Sequence, residues 1–353
     1  VRHRALLVPI VCLVAGSTVA GTRLEPSQNA IDVQAARDRI AARAKASRDR
    51  AEMARKSHQV APSPPSRPKI PWEPASNMDN NHLRRLRLAI GTGASIGVRH
   101  AMEDRSCAVT FQSRPPEDDP VAFVAIYDGH AGQHCASFLQ TTLIDQIRRS
   151  LHTTTFGFST LPEPMLAPLL TQACALADDS FLRSHLADDS GSCAAFALIG
   201  TDKFAVGNIG DSQLVLSRDG EAINLCVLHA PNDPNEKRRI EAANGRVLNN
   251  GRYIFGYLGV SRAFGDRMLK EDLRRPIVIS QPDVVVRDRS PGDEFLLIAC
   301  DGLFEVFTPA TAVDFVRSRL ETMAPAQICD ALVAEAIAAG SQDNVSVVLA
   351  VFQ

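Results

Sequence analysis

Four short acidic motifs each stand where an apolar run meets a turn: Met102-Glu103-Asp104, Asp128-Gly129-His130, Asp301-Gly302 and Asp343-Asn344. An Asp-Gly or Asp-Asn pair alone is ordinary turn chemistry, so number and placement carry the meaning. The apolar run 122–127 ends at Asp128 and the run 295–300 ends at Asp301, which brings two carboxylates to the rim of a sheet. Asp343 stands just before the apolar run 345–351, and Glu103 and Asp104 precede 107–111, so these acids can reach the same rim from antiparallel partners. Hard divalent cations need oxygen ligands held on rigid elements, and Mg²⁺ or Mn²⁺ keeps several waters beside its few carboxylates. The chemistry these residues suit is that of a two-metal centre.

The elements that would hold them can be read from periodicity. Cys135, Phe138, Leu139, Ile144, Ile147 and Leu151 recur mostly at three- and four-residue steps, which predicts a core-facing helix directly after the Asp128 turn. Leu169, Ala173, Leu176, Ala177 and Phe181 predict a second. Short strands are expected at 193–199, 204–209 and 213–217, with Gly210-Asp211 as the turn between the last two. Further helices are expected at 233–244, 310–320 and 326–339, the last opening after Pro325 and closing at Gly340. Strands in antiparallel groups with helices segregated between them make an α+β pattern that suits two stacked sheets flanked by helices. Gly91-Thr-Gly93, with Gly97, does not make a dinucleotide-binding turn: the third glycine is one residue late and no helical period follows.

Six motifs in order, Arg99-x-x-Met102-Glu103-Asp104, Tyr127-Asp128-Gly129-His130-x-Gly132, Gly210-Asp211-Ser212, Val260-Ser261-Arg262-Ala263-x-Gly265-Asp266, Ala299-Cys300-Asp301-Gly302-Leu303-Phe304 and Asp343-Asn344-Val345-Ser346-Val347, closely resemble the signature of the metal-dependent protein serine/threonine phosphatases, the protein phosphatase 2C family. The stretch 300–309 is most similar to the branch containing the integrin-linked-kinase-associated phosphatase. The resemblance implies an α-β-β-α sandwich of two central antiparallel sheets and hydrolysis of phosphoserine and phosphothreonine in proteins. A water bridging two Mn²⁺ or Mg²⁺ ions would attack phosphorus directly; consistent with this, the chain lacks the Cys-x₅-Arg loop of a cysteine phosphatase. The resemblance further implies that Asp128 bridges both metals, that the Gly129 carbonyl, Asp301 and Asp343 complete the ligands, and that Glu103 and Asp104 hold metal-bound waters. Arg99 would grip the phosphoryl group with its planar fork, and His130 would protonate the departing oxygen.

Three positions depart from the family pattern. Glu305 stands where an aspartate usually helps bind a weaker third metal, with Asp211 as the other ligand expected there. Leu228-His229-Ala230-Pro231 lacks the acid of the usual Asp-His-x-Pro; this loop and a flap at 232–257 are expected to tune substrate access. Ala131 follows His130 where many relatives carry glycine, so its effect hangs on the backbone dihedral.

The chain has 353 residues, 45% hydrophobic, ample for a packed core, and a formal net charge of −2 that gives no drive toward nucleic acid or anionic membrane. Its eight cysteines are irregularly spaced with no Cys-x-x-Cys pair and read as buried reduced thiols. Residues 1–20 carry a basic start, an apolar stretch too short to span a membrane and small residues at 18–20, the pattern of a secretory signal. Residues 21–81 form an Ala/Arg-rich arm, with eight basic against three acidic residues in 33–56, and a proline-rich linker, largely disordered. The catalytic domain is expected at 82–353, acting as a monomer. A signal ahead of unpaired thiols suggests a secreted effector delivered into another cell; without a functional signal the compartment would be cytoplasm or nucleus.

Overall fold

The computed structural model describes residues 75–114, 120–270 and 275–353; the expected signal, Cys12 and most of the arm and linker lie outside them. In chain order the elements are β1 (Ala75–Asn77), α1 (Asn80–Leu86), β2 (Leu88–Ser95), β3 (Arg105–Gln112), β4 (Pro120–Tyr127), β5 (Gly129–His130), α2 (His134–His152), α3 (Glu163–Ser184), β6 (Gly191–Ser192), β7 (Ala194–Ile199), β8 (Lys203–Ile209), β9 (Gln213–Arg218) and β10 (Glu221–Asn224). There follow α4 (Pro234–Ala242), β11 (Val247–Leu248), β12 (Tyr253–Ile254), β13 (Phe264–Gly265), β14 (Asp283–Asp288), β15 (Asp293–Ala299), α5 (Asp301–Phe304), α6 (Pro309–Arg317), α7 (Pro325–Ala338) and β16 (Val345–Phe352).

A six-stranded sheet, β1-β3-β4-β7-β8-β14, lies on a five-stranded one, β10-β9-β15-β16-β2. Every neighbouring pair is antiparallel except β1 with β3. Strand β4 is buried along its whole length because both of its faces are covered. Ala122, Val124 and Ile126 point between the sheets against Leu296, Ile298 and Val348, while Val121, Phe123, Ala125 and Tyr127 meet the apolar faces of α2 and α3. On the far side Phe295, Leu297, Val347 and Leu349 pack on α6 and α7. The result is the α-β-β-α sandwich expected from the resemblance.

The strand expected at 193–199 is β7, one residue shorter at its start because the Cys193 N–H bonds the Asp128 carbonyl at 2.8 Å. Residues 191–192 just before it join a separate three-stranded sheet, β13-β6-β5. The flap carries the β11–β12 hairpin over its own core of Ile240, Ile254, Leu258 and Ile277. It is tied down by Glu236, which pairs with Arg239 at 2.8 Å and Arg262 at 2.7 Å. All seven cysteines among the described residues are free, six of them buried. No helix among these residues is long and apolar enough to cross a membrane.

The glycines at 91 and 93 have a packing reason. Both lie on the β2 face that receives α7, and a Cβ on Gly91 would stand 2.2 Å from the backbone nitrogen of Ala326. Helix and strand thus touch backbone to backbone. Gly91→Ala forces α7 outward and is expected to cost about 2 kcal/mol of stability in a denaturant titration; an unchanged midpoint would show that α7 is free to move.

Candidate active site

The antiparallel pairing puts the C-terminal ends of β4 and β15 beside the starts of β3, β9 and β16. Asp128 follows β4 of the first sheet and Asp301 follows β15 of the second. Asp211 sits in the turn where the chain crosses from β8 in the first sheet to β9 in the second. One oxygen of each of these three carboxylates lies within 4.8 Å of the others. Ser212 Oγ donates to Asp128 Oδ2 at 3.4 Å, and the Cys193 thiol lies 3.4 Å from Asp211 Oδ1.

Burial and mutual repulsion act together on this group. Desolvation, then the charges of Asp301 and Asp104, hold the Asp128 carboxyl well above the usual carboxylate range. Burial, with Asp211 and Asp343 adding, pushes Asp301 up to about 8. Burial pushes Asp104 up to about 6, with the charges of Asp343 and Glu103 adding to it. Asp104 is only 2% exposed and its Oδ2 has no hydrogen-bond partner. Crowded hard oxygen donors, one of them orphaned, fit divalent cations of the Mg²⁺ or Mn²⁺ kind.

The remaining expected residues ring this group. Arg99, half exposed, pairs through Nη2 with Asp343 Oδ2 at 2.5 Å and donates from Nε to the Gln342 carbonyl. Asn344 stitches the loop that carries Arg99: its amide donates to the carbonyls of Ile96 and Ala101, and its oxygen accepts from the Glu103 N–H at 2.8 Å. The Glu103 carbonyl in turn lies where a Cβ on Gly129 would stand, 2.4 Å away, so the metal-side turn closes only on glycine. Glu305 Oε2 accepts from Ser341 Oγ at 3.3 Å and from the Gln342 N–H at 3.0 Å. Asp211, expected with Glu305 at a weaker third site, has a carboxylate oxygen within 4.8 Å of one on Asp128 and one on Asp301.

His130 is placed by the small sheet. Gly191 of β6 pairs with His130 of β5 on one side and Gly265 of β13 on the other, so the imidazole and the next residue, Asp266, converge over a glycine. Nε2 lies 2.9 Å from Asp266 Oδ2, and a Cβ on Gly191 would collide with both groups. Burial disfavours the charged ring, yet the Asp266 carboxylate outweighs it and raises the His130 pKa above its ordinary value. The role of Asp266 is not legible from its motif alone, because its partner is 136 residues away. The loop that lacks an acid at 228 remains anchored, since His229 Nδ1 accepts from the Gly210 N–H and Nε2 lies 3.2 Å from Asp283.

Ala131 has φ +56°, in the left-handed region where glycine is at ease. Ala131→Gly is therefore expected to raise stability by about 1 kcal/mol; no gain in a denaturant titration would show that the turn already relaxes around alanine.

The profile of the family described as "Protein phosphatase 2C" matches residues 88–345. The chain is 37% identical to "Probable protein phosphatase 2C 57" of Oryza sativa subsp. japonica over 273 residues, 74% of this chain and 72% of the relative. It is 34% identical to "Protein phosphatase 2C homolog 2" of Schizosaccharomyces pombe, covering 75% and 73% of the two chains. The solved serine-threonine phosphatase 2C from Toxoplasma gondii superposes with a TM-score of 0.60 at 26% identity, covering 75% of this chain and 95% of that one. Sequence, fold and site agree that this chain belongs to the protein phosphatase 2C family of protein serine/threonine phosphatases.

Proposed function

We propose that the protein removes phosphate from phosphoserine and phosphothreonine by direct attack of water at a site built on Asp128, Asp211 and Asp301. The observation that carries this reading is the meeting of those carboxylates, delivered from both sheets, within 4.8 Å. In this reading Asp343 and the Gly129 carbonyl would complete the oxygen set, and Glu103 and Asp104 would hold metal-bound waters. When bound there, a pair of Mn²⁺ or Mg²⁺ ions neutralises phosphoryl charge and makes a water nucleophilic at neutral pH. Glu305, tied to the 341–342 backbone and side chain, is poorly freed for a third ion, which would bind weakly.

The chain's own residues supply the rest. Arg99, half exposed beside Asp343, presents a guanidinium whose fork matches two phosphoryl oxygens, fixing the substrate in line for attack. With Nε2 of His130 held by Asp266, Nδ1 is the nitrogen that passes a proton to the leaving serine or threonine oxygen. Gly191 keeps that ring against its carboxylate by leaving no side chain in the way.

The test is phosphate release from a phosphothreonine peptide, titrated with Mn²⁺ and with Mg²⁺. Asp301→Asn is expected to lower kcat by at least about a hundredfold with the fold intact, and Arg99→Ala, run beside it, chiefly to raise KM. Near-normal turnover of Asp301→Asn would overturn the assignment.

We also propose that residues 1–20 direct the enzyme into the secretory route as a monomeric effector delivered into another cell. The support is the basic, apolar and small-residue order of that segment. A fusion of residues 1–30 to a reporter is expected in the medium or secretory organelles; a cytosolic reporter would refute this.

A further inference from the structure

Helix α3 carries an acid on its buried face. Asp178 is 6% exposed and shares that face with Ala173, Cys174, Ala177 and Phe181, where the packing alone would favour an apolar residue. A carboxylate in such a place is costly unless paired and fully hydrogen-bonded. Here it is both. Lys270 Nζ lies 2.6 Å from Oδ2, with the two side chains 7% and 9% exposed, and Oδ1 accepts from the Gly265 N–H at 2.8 Å. Lys270 also donates to the Ala263 carbonyl at 2.8 Å. The pair thus clamps the turn 263–266 at two backbone groups.

That turn needs a clamp. Gly265 at φ +71° and Asp266 at φ +51° are consecutive left-handed residues, and Asp266 has no glycine's freedom to sit there. Strand β13 is two residues long, and its short pairing with β6 is supplemented by backbone bonds from the Asp266 N–H to the Ser190 carbonyl, from the Leu269 N–H to the Asp266 carbonyl and from the Ala263 N–H to the Ile279 carbonyl. Yet the direction of the Asp266 carboxylate, and with it the orientation of the His130 ring, follows from those two dihedrals. Backbone strain of this kind persists only where neighbours over-determine it.

We propose that Asp178 and Lys270 are positioning residues for His130: the buried ion pair fixes Gly265 and Asp266 so that the Asp266 carboxylate holds the imidazole toward the leaving oxygen. This rests on the reading of His130 as the proton donor. Neither residue touches the carboxylate cluster or the substrate, so the pair acts on proton delivery while leaving metal binding alone.

The test compares two substrates in the full-length protein with Mn²⁺: a phosphothreonine peptide, whose alkoxide needs a proton to leave, and p-nitrophenyl phosphate, whose phenolate does not. The double substitution D178L/K270M removes both charges together and leaves neither buried unpaired. It is expected to lower kcat on the peptide by about 10- to 100-fold while changing p-nitrophenyl phosphate turnover by less than about threefold and leaving the half-saturating Mn²⁺ concentration unchanged. The side-chain ¹⁵N resonances of His130 are expected to shift in the same variant. Asp178→Asn, which keeps the side chain's shape, serves if the double variant does not fold, with the same split expected. Equal losses on both substrates, or no loss on the peptide, would overturn the proposal. His130→Ala separates the two layers: if it shows the split and the Asp178 variants do not, the ion pair is merely structural, and if it shows none, the proton-donor reading itself fails.

Discussion

The architecture depends on holding like charges together. Two carboxylates 4.8 Å apart repel by about 3 kcal/mol at an effective dielectric of about 20, and burial adds the loss of hydration. Asp128, Asp211 and Asp301 would drift apart on flexible loops. They stay because each is fixed within a residue or two of a strand end, in sheets whose inner faces are packed solid. Burial and mutual crowding both raise the proton affinity of these carboxyls, and the same crowding of oxygen donors suits a hard cation.

Close backbone approach is the second device. Gly129 admits the Glu103 carbonyl, Gly302 admits the Asn344 carbonyl, and Gly191 leaves room for the His130–Asp266 pair. At each place a methyl group would push apart two segments that come from distant parts of the chain. Gly91 and Gly93 do the same at α7, so these glycines, which do not make a dinucleotide-binding turn, form a helix-packing seam in the fold.

Around the charged centre stands a shell of uncharged or neutralised polar groups that orient without reacting. The Asn344 side chain makes three hydrogen bonds to the loop 96–103 that carries Arg99. The Asp178–Lys270 pair holds the 263–266 turn. Fully satisfied networks of this kind rigidify their surroundings, and a half-satisfied one would loosen them.

Much was legible in the sequence. Apolar runs that end in Asp128 and Asp301 announced strands with acids at their tips, and the helical period after residue 134 announced α2, because burial imposes its own spacing on the chain. The ordered motifs pointed to the family and to hydrolytic chemistry. What one-dimensional spacing could not contain was which sheet each strand joins. Only the crossing from β8 to β9 carries Asp211 between the sheets into the central group, and only the three-stranded sheet brings His130 and Asp266, 136 residues apart, onto one glycine. Local propensity is written residue by residue, whereas the meeting of distant acids is decided by how two sheets stack, and that is a property of the packed core.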